Sequence, residues 1–173
     1  SDLYKKAAGK VADYAAKKID GKLSKALKQW KNEAKAETLI QRISAIVMVK
    51  TFWSFDKEVS LYSFYHPPLL EFFHPDPKPV SGLKDFGSKG NFVIQGTVGQ
   101  GKSIFLRHLC GQEFRKGSSS ERIPIFAELK RIDGKHSLKQ IIFDVLQRFD
   151  FEVDDELFDA YARSGAIVLM LDG

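Results

Sequence analysis

The sequence predicts an α/β protein built on a parallel sheet, and three observations predict it. From residue 91 onward, hydrophobic patterns of strand and helix length alternate in the order β-α-β-α-α-β. A glycine-rich stretch, Gly96-Thr97-Val98-Gly99-Gln100-Gly101-Lys102-Ser103, joins the first strand pattern to the first helix pattern. A continuous apolar run, Ala166-Ile167-Val168-Leu169-Met170-Leu171, leads into Asp172-Gly173. Such a run suits a parallel strand buried on both faces. The alternation as a whole implies parallel strands joined by right-handed crossovers.

Composition sets the bounds. The 173 residues are 43% hydrophobic and 28% charged, which is ordinary for a globular chain. That length allows one full domain, or a smaller segment attached to an incomplete one. There is no secretory signal and no uncharged apolar run of about 18 residues, so no spanning helix is predicted. The lone Cys110 cannot form an internal disulfide, which makes a cytoplasmic setting the default. Ser1 in place of Met points to a processed or trimmed start.

The net charge of +5 is unevenly placed. Residues 1–50 hold 12 Lys/Arg against 5 Asp/Glu, whereas residues 51–173 hold 15 against 17. The basic character belongs to the N-terminal segment, so no specific nucleic-acid partner is predicted from the isoelectric point.

In that segment, Leu3, Ala7, Val11 and Tyr14 recur at helical spacing, and Asp20-Gly21 interrupts the pattern. A second stripe follows through Leu23, Leu27, Trp30, Ala34, Leu39, Ile43, Ile46 and Val47. The spacing predicts two helices, 3–19 and 22–49. Ten lysines between Lys5 and Lys35 lie mostly on the other faces. Three readings stay open: a small bundle with a solvated lysine face, a basic surface for a protein partner or anionic membrane, and contact with nucleic acid. The stripe is rich in alanine and would bury little area in a bilayer.

Residues 51–79 change character. Phe52, Trp53, Phe55, Tyr62, Phe64, Tyr65, Phe72 and Phe73 crowd a stretch holding five of the six prolines. Pro67-Pro68 and the Pro75, Pro77, Pro79 series forbid a regular helix and predict an extended connector. So many large rings also predict that it packs against the domain that follows. Gly82, Gly87 and Gly90 form a loop before the first strand, Asn91-Phe92-Val93-Ile94-Gln95. The helix that follows the glycine stretch begins with Ile104-Phe105-Leu106-Arg107-His108-Leu109, and Lys116 to Ser120 form a surface loop. Ile123-Pro124-Ile125-Phe126-Ala127-Glu128-Leu129 is the second strand, with Pro124 near its start. Ser137 caps a helix running through Phe149, and Asp154 to Arg163 form another.

The glycine stretch matches the phosphate-binding P-loop pattern G-x-x-x-x-G-K-[ST] at every fixed position. Chance yields such a match in a chain of this length about 1% of the time or less. The glycines let successive N–H groups face a nucleotide's phosphates. Lys102 is placed to reach the β/γ-phosphates, and Ser103 to hold Mg²⁺. An apolar strand ending in Asp172 has the Walker B form, which sets a carboxylate at the sheet edge near the loop as a second Mg²⁺ ligand. The alternative is a strand followed by an Asp-Gly turn.

Other groups carry less. His66, His74, His108 and His136 lack metal-ligand spacing. Cys110 reads as a buried small hydrophobe rather than a nucleophile. Glu128, at the end of the second strand, could orient water or form a surface ion pair. Ser118 to Ser120 suit a loop better than a catalytic triad.

Phe92 to Arg107 resembles the P-loop region of NACHT-type NTPases, within the STAND class of signalling ATPases. Ile123 to Lys130 is similar to the next strand of bacterial members, Ile167 to Gly173 to the start of their Walker B, and Tyr62-Ser63-Phe64-Tyr65-His66-Pro67-Pro68 to the segment leading into their NACHT module. The resemblance covers about residues 52–173. It implies a partial parallel-sheet P-loop NTPase of ASCE/STAND type preceded by a helical segment: 1–50 helical and basic, 51–90 connector, 91–173 first half of the nucleotide domain.

The implied function is an ATP-dependent switch whose nucleotide state controls self-association and activates an effector, as bacterial relatives do in antiphage defence. ATP or ADP and Mg²⁺ are the implied ligands. Gly96, Thr97, Val98, Gly99, Gln100, Gly101, Lys102 and Ser103 would hold the nucleotide, and Ser103 and Asp172 the metal. The acidic residues that usually follow the Walker B Asp, the later strands and the sensor regions are not in the chain. The resemblance therefore places no catalytic residue here, implies a gap in the sheet, and marks Gly173 as a truncation or the limit of an ordered region. Hydrolysis is expected of the intact protein. Two other function classes remain open: a P-loop kinase or transferase acting on a small molecule, and a helical effector acting on membranes or proteins. GTP remains an alternative to ATP.

Overall fold

Residues 44–47 are helical and run directly into a hairpin of β1 (Met48–Thr51) and β2 (Ser54–Ser60). The computed structural model describes residues 21, 41, 44–71, 76–87, 90–116, 122–133, 136–148 and 154–173. The helix expected over 3–19, and the one expected from 22 as far as residue 43 apart from Gln41, lie outside the described residues. The second helix does not continue through residue 49 as its stripe predicts. Met48 pairs with Ser60 and Val49 with Val59 across an antiparallel ladder. Val49 is buried there, and β-branched side chains pack well on a pleated surface. Cross-strand burial overrides a helical spacing.

The stretch expected to be a simple connector has structure of its own. After β2 comes a 3-10 turn at Leu61–Ser63, then a short antiparallel pair, β3 (Leu69–Leu70) with β4 (Lys78–Pro79). A second 3-10 turn, Leu83–Phe86, is held by Asp85, whose carboxylate accepts from the N–H groups of Ser81 (2.8 Å) and Gly82 (3.0 Å). These bonds, that of Ser81 first, hold the Asp85 carboxyl below its ordinary range.

The aromatic residues divide. Tyr65 stacks on His108, ring centroids 3.6 Å apart, and Tyr62 lies under Arg115 at 4.8 Å, so this part packs on the following helix as expected. Phe52, Trp53 and Phe55 do not. They form an exposed cluster at the hairpin tip, with Trp53 91% exposed. Phe72 and Phe73 lie outside the described residues.

Asn91–Gln95, expected as the first strand, forms no strand. Phe92 is exposed and Val93 is 95% exposed. A strand needs a neighbour to take its ladder bonds, and no described strand pairs with this segment. The chain then turns through the glycine loop into α1 (Lys102–Arg115). Its inward face carries Phe105, Leu109, Cys110 and Phe114, all buried. Gly111 lets Val47 and Tyr62 approach closely: a Cβ there would lie 2.5 Å from Val47 Cγ1 and from Tyr62 Oη.

The remaining elements follow the sequence closely. β5 (Ile123–Glu128) leads to a 3-10 turn at Leu129–Arg131, then α2 (Leu138–Gln147), α3 (Asp155–Ser164) and β6 (Ile167–Asp172). Ser137 Oγ accepts from Gln140 N at 3.2 Å, so the predicted cap forms. Asp154, expected as the first helical residue, is instead the N-cap of α3, its Oδ1 accepting from Leu157 N at 2.7 Å. α2 stops at Gln147, short of Phe149, which lies outside the described residues. Gly165, with φ 73°, ends α3 in the left-handed region that suits glycine.

β5 and β6 pair in parallel, in register from Ile123↔Ile167 to Glu128↔Asp172. Ile123 N–H donates to Ala166 O at 2.6 Å. Bonding alternates along a parallel strand, so Pro124, with no N–H, faces away from β6. β6 is not buried on both faces as its apolar run predicts. Met170 is buried, but Leu169 is 41% exposed.

The molecule is thus a mixed α/β structure with small sheets, one of them a parallel pair. One cluster joins Ile46, Val49, Leu61 and Val80 from the N-terminal side to Phe105, Ile125, Ile142 and Tyr161. Among the described residues, no helix is long and apolar enough to cross a membrane.

Candidate functional site

The loop before α1 turns on two glycines in the left-handed region, Gly99 (φ 87°) and Gly101 (φ 79°). Other residues reach such angles at a cost, so the loop's path depends on glycine here. Gln100 N–H reaches Thr97 O at 3.5 Å, and the Gln100 side chain folds back so that its Oε1 accepts from Thr97 N–H at 2.8 Å. This places Gln100 Oε1 where a Cβ on Gly96 would stand. A Cβ on Gly96 would displace only the end of the Gln100 side chain, whereas Gly99 and Gly101 are needed for backbone angle.

Lys102 is the first residue of α1, and its ammonium curls back into the loop. Nζ donates to Gly96 O and Thr97 O, each at 2.8 Å. Gly101 at the helix N-cap has no side chain to satisfy the first-turn N–H groups. The first helical bond runs from Phe105 N–H to Gly101 O at 2.8 Å. The loop, including Val98, is exposed to solvent. An ammonium and the positive end of a helix therefore converge on one open turn.

Ser103 and Asp172 meet, although 69 positions separate them in sequence. Ser103 Oγ donates to Asp172 Oδ1 at 2.8 Å. The parallel register brings Asp172 to the carboxyl edge of the pair, where α1 begins. Magnesium binds oxygen at about 2.1 Å in an octahedron, which sets adjacent ligands about 3.0 Å apart. The Ser103–Asp172 separation fits a pair of adjacent oxygen ligands. Among the described residues there is no group of three or more His, Cys, Asp or Glu that could hold a metal. A magnesium ion held by few protein groups needs none, because water and phosphate fill its shell.

Glu128 ends β5 as the register partner of Asp172. It forms ion pairs with Arg107 (3.2 Å) and Lys130 (3.4 Å), the ion-pair alternative in the sequence. Arg107 also donates to Ile46 O at 3.1 Å and lies over the Phe126 ring at 4.5 Å. Arg107 lies one turn beyond Ser103 on the same face of α1, a spacing in the sequence that marks it as a neighbour of this edge.

The remaining candidates stand away from this edge. His108 is buried on the inner face of α1, its Nε2 within 2.9 Å of Gln112 Nε2 and 3.4 Å of Ser81 O. His136 pairs with Asp133 at 2.9 Å, and His66 is exposed. Cys110 is buried, and desolvation pushes its thiol well above the ordinary range, against a nucleophilic role. His74 and Ser118 to Ser120 lie outside the described residues. Comparisons with protein-family models, with curated proteins and with solved structures find no match to this chain.

Proposed function

We propose that this chain holds the nucleotide of an ATP-binding signalling switch, with residues 96–103 as its phosphate cradle. The observation that carries the reading is the Ser103–Asp172 contact at 2.8 Å beside the Lys102-closed loop. The two residues that the P-loop and Walker B patterns name as metal ligands meet across the fold. The parallel pair with α1 packed on it supports part of the topology that the motif requires, although the strand expected immediately before the loop is not formed.

On this reading, Lys102 leaves the carbonyls of Gly96 and Thr97 for the β/γ-phosphates. The loop N–H groups and the α1 N-terminus complete the anion site. Ser103 and Asp172 would hold Mg²⁺, which would supply neutralisation of phosphate charge and orientation of the phosphoryl group. Glu128 is neutralised by two cations and supports the edge rather than acting as a base. The NACHT-like resemblance adds the switch: nucleotide state governs self-association of the protein. Any contact of residues 1–50 with a protein or anionic membrane belongs to the same proposal.

Calorimetric titration of the chain with ATP and Mg²⁺, with Lys102→Ala alongside and GTP as a second ligand, tests it. Lys102→Ala should bind at least about tenfold more weakly, or about 1.4 kcal/mol. Equal affinity in both proteins overturns the phosphate role of the loop.

A further inference from the structure

α1 meets the carboxyl edge of the parallel pair through two adjacent rungs. Ser103 Oγ donates to Asp172 Oδ1, and one turn further on Arg107 donates to Glu128 Oε1 at 3.2 Å. Asp172 and Glu128 are register partners, so the rungs stand side by side. The other terminal nitrogen of Arg107 donates to Ile46 O at 3.1 Å, in the helical residues that lead into β1. The guanidinium lies over the Phe126 ring and is mostly shielded from solvent. A planar guanidinium presents donors in fixed directions and can hold two acceptors at once, which the single ammonium of lysine does less well.

We infer that Arg107 is a positioning residue that couples cation occupancy at Ser103 and Asp172 to the helical residues 44–47 and the β1 strand they lead into. The inference rests on the phosphate-loop reading above. A divalent cation on the Ser103–Asp172 rung adds positive charge next to Glu128. It draws the negative end of the Arg107–Glu128 ion pair toward the Ser103–Asp172 rung, and the pair moves together. Arg107 can follow Glu128 only by giving up the Ile46 carbonyl. Filling the site therefore loosens residues 44–51, the junction with the basic N-terminal segment. A ligand that merely stabilised the fold would tighten them instead, so the sign is diagnostic.

Hydrogen exchange on the 173-residue chain, with and without saturating ATP and Mg²⁺, reads both ends of the coupling. The variants are Arg107→Ala, Arg107→Lys and Glu128→Gln, and amide protection of β5 and β6 without nucleotide reports on folding. In the unsubstituted chain, nucleotide should protect 96–103 and speed exchange at 44–51 by about fivefold or more. Arg107→Ala should keep the protection at 96–103 but exchange rapidly at 44–51 with or without nucleotide. Arg107→Lys should show a reduced response. Glu128→Gln keeps an acceptor for Arg107 but loses the charge the cation attracts, so its 44–51 region should not respond; it serves if Arg107→Ala does not fold. No protection at 96–103 in the unsubstituted chain overturns the phosphate-loop reading and this inference with it. Protection at 96–103 with unchanged or slower exchange at 44–51 overturns the coupling alone. A full response in folded Arg107→Ala, or in Glu128→Gln, removes Arg107 from it.

Discussion

Ser103 Oγ donates a 2.8 Å hydrogen bond to Asp172 Oδ1, tying the first turn of α1 to the last residue of β6. Both side chains reach this point because the β5–β6 register carries Asp172 to the sheet edge where the glycine loop delivers Ser103. If the pair holds Mg²⁺, Ser103→Ala and Asp172→Asn should each weaken ATP binding about tenfold in magnesium. Each should change affinity by less than about twofold in EDTA, because only the metal-dependent part is removed. Calorimetry in both buffers checks this, and equal losses in the two would assign the pair to structure alone.

Gly111 is a packing position, and substitution should show it. An added Cβ would meet Val47 and Tyr62 at 2.5 Å within a helix that cannot shift freely. Gly111→Ala should destabilise by about 1–3 kcal/mol, even though alanine is the better helix former. Chemical denaturation measures the change. A gain in stability would show that the segment around Val47 is not packed on α1.

Stability should fall on mild acidification because of His108. Burial, reinforced by the Arg115 guanidinium, holds its imidazole below the ordinary 6.5, against the opposing Ser81 hydrogen bond. The folded state then favours the neutral ring, so the unfolded state takes up more protons below about pH 6.5. The stabilisation is present above that value and is lost progressively down to the folded-state pKa. At the alkaline end, burial raises the Tyr65 phenol to about 12, so its contribution is lost as pH rises beyond about 10. Denaturant midpoints measured from about pH 7.5 to about pH 5.5 should decline. The decline should be shallower in His108→Phe, which preserves a ring against Tyr65.

The aromatic hairpin tip should be dispensable for folding. Trp53 and Phe55 each contact Phe52, and all three rings are more than half exposed. Trp53→Ser should change stability by no more than about 0.5 kcal/mol. In a Trp30→Phe background, Trp53 fluorescence should be that of a solvent-exposed indole and readily quenched by iodide. A blue-shifted, protected emission would show that the tip is covered.

Local chemistry made much of this molecule legible in advance. Ser137 and Asp154 marked the starts of α2 and α3 because a cap needs only its own next turn. The apolar runs at 123–128 and 167–171 marked the strands of the parallel pair. Gly99 and Gly101 marked the loop because glycine reaches the required backbone angles without steric cost. The failures arose where long-range partners decide. Asn91–Gln95 has strand composition but no described strand beside it, and Met48–Val49 continue a helical stripe yet join β2.

By itself, the sequence determined the phosphate-loop pattern, the two residues proposed as oxygen donors and most element boundaries beyond residue 101. Those depend on backbone angles, capping and periodicity within a few residues. Only the tertiary structure decided that Ser103 meets Asp172, that Glu128 is held by Arg107, and that Arg107 reaches the carbonyl of Ile46. These contacts join residues 21 to 69 positions apart. No local preference encodes such contacts. They follow from the register of β5 on β6 and from how α1 lies across that edge.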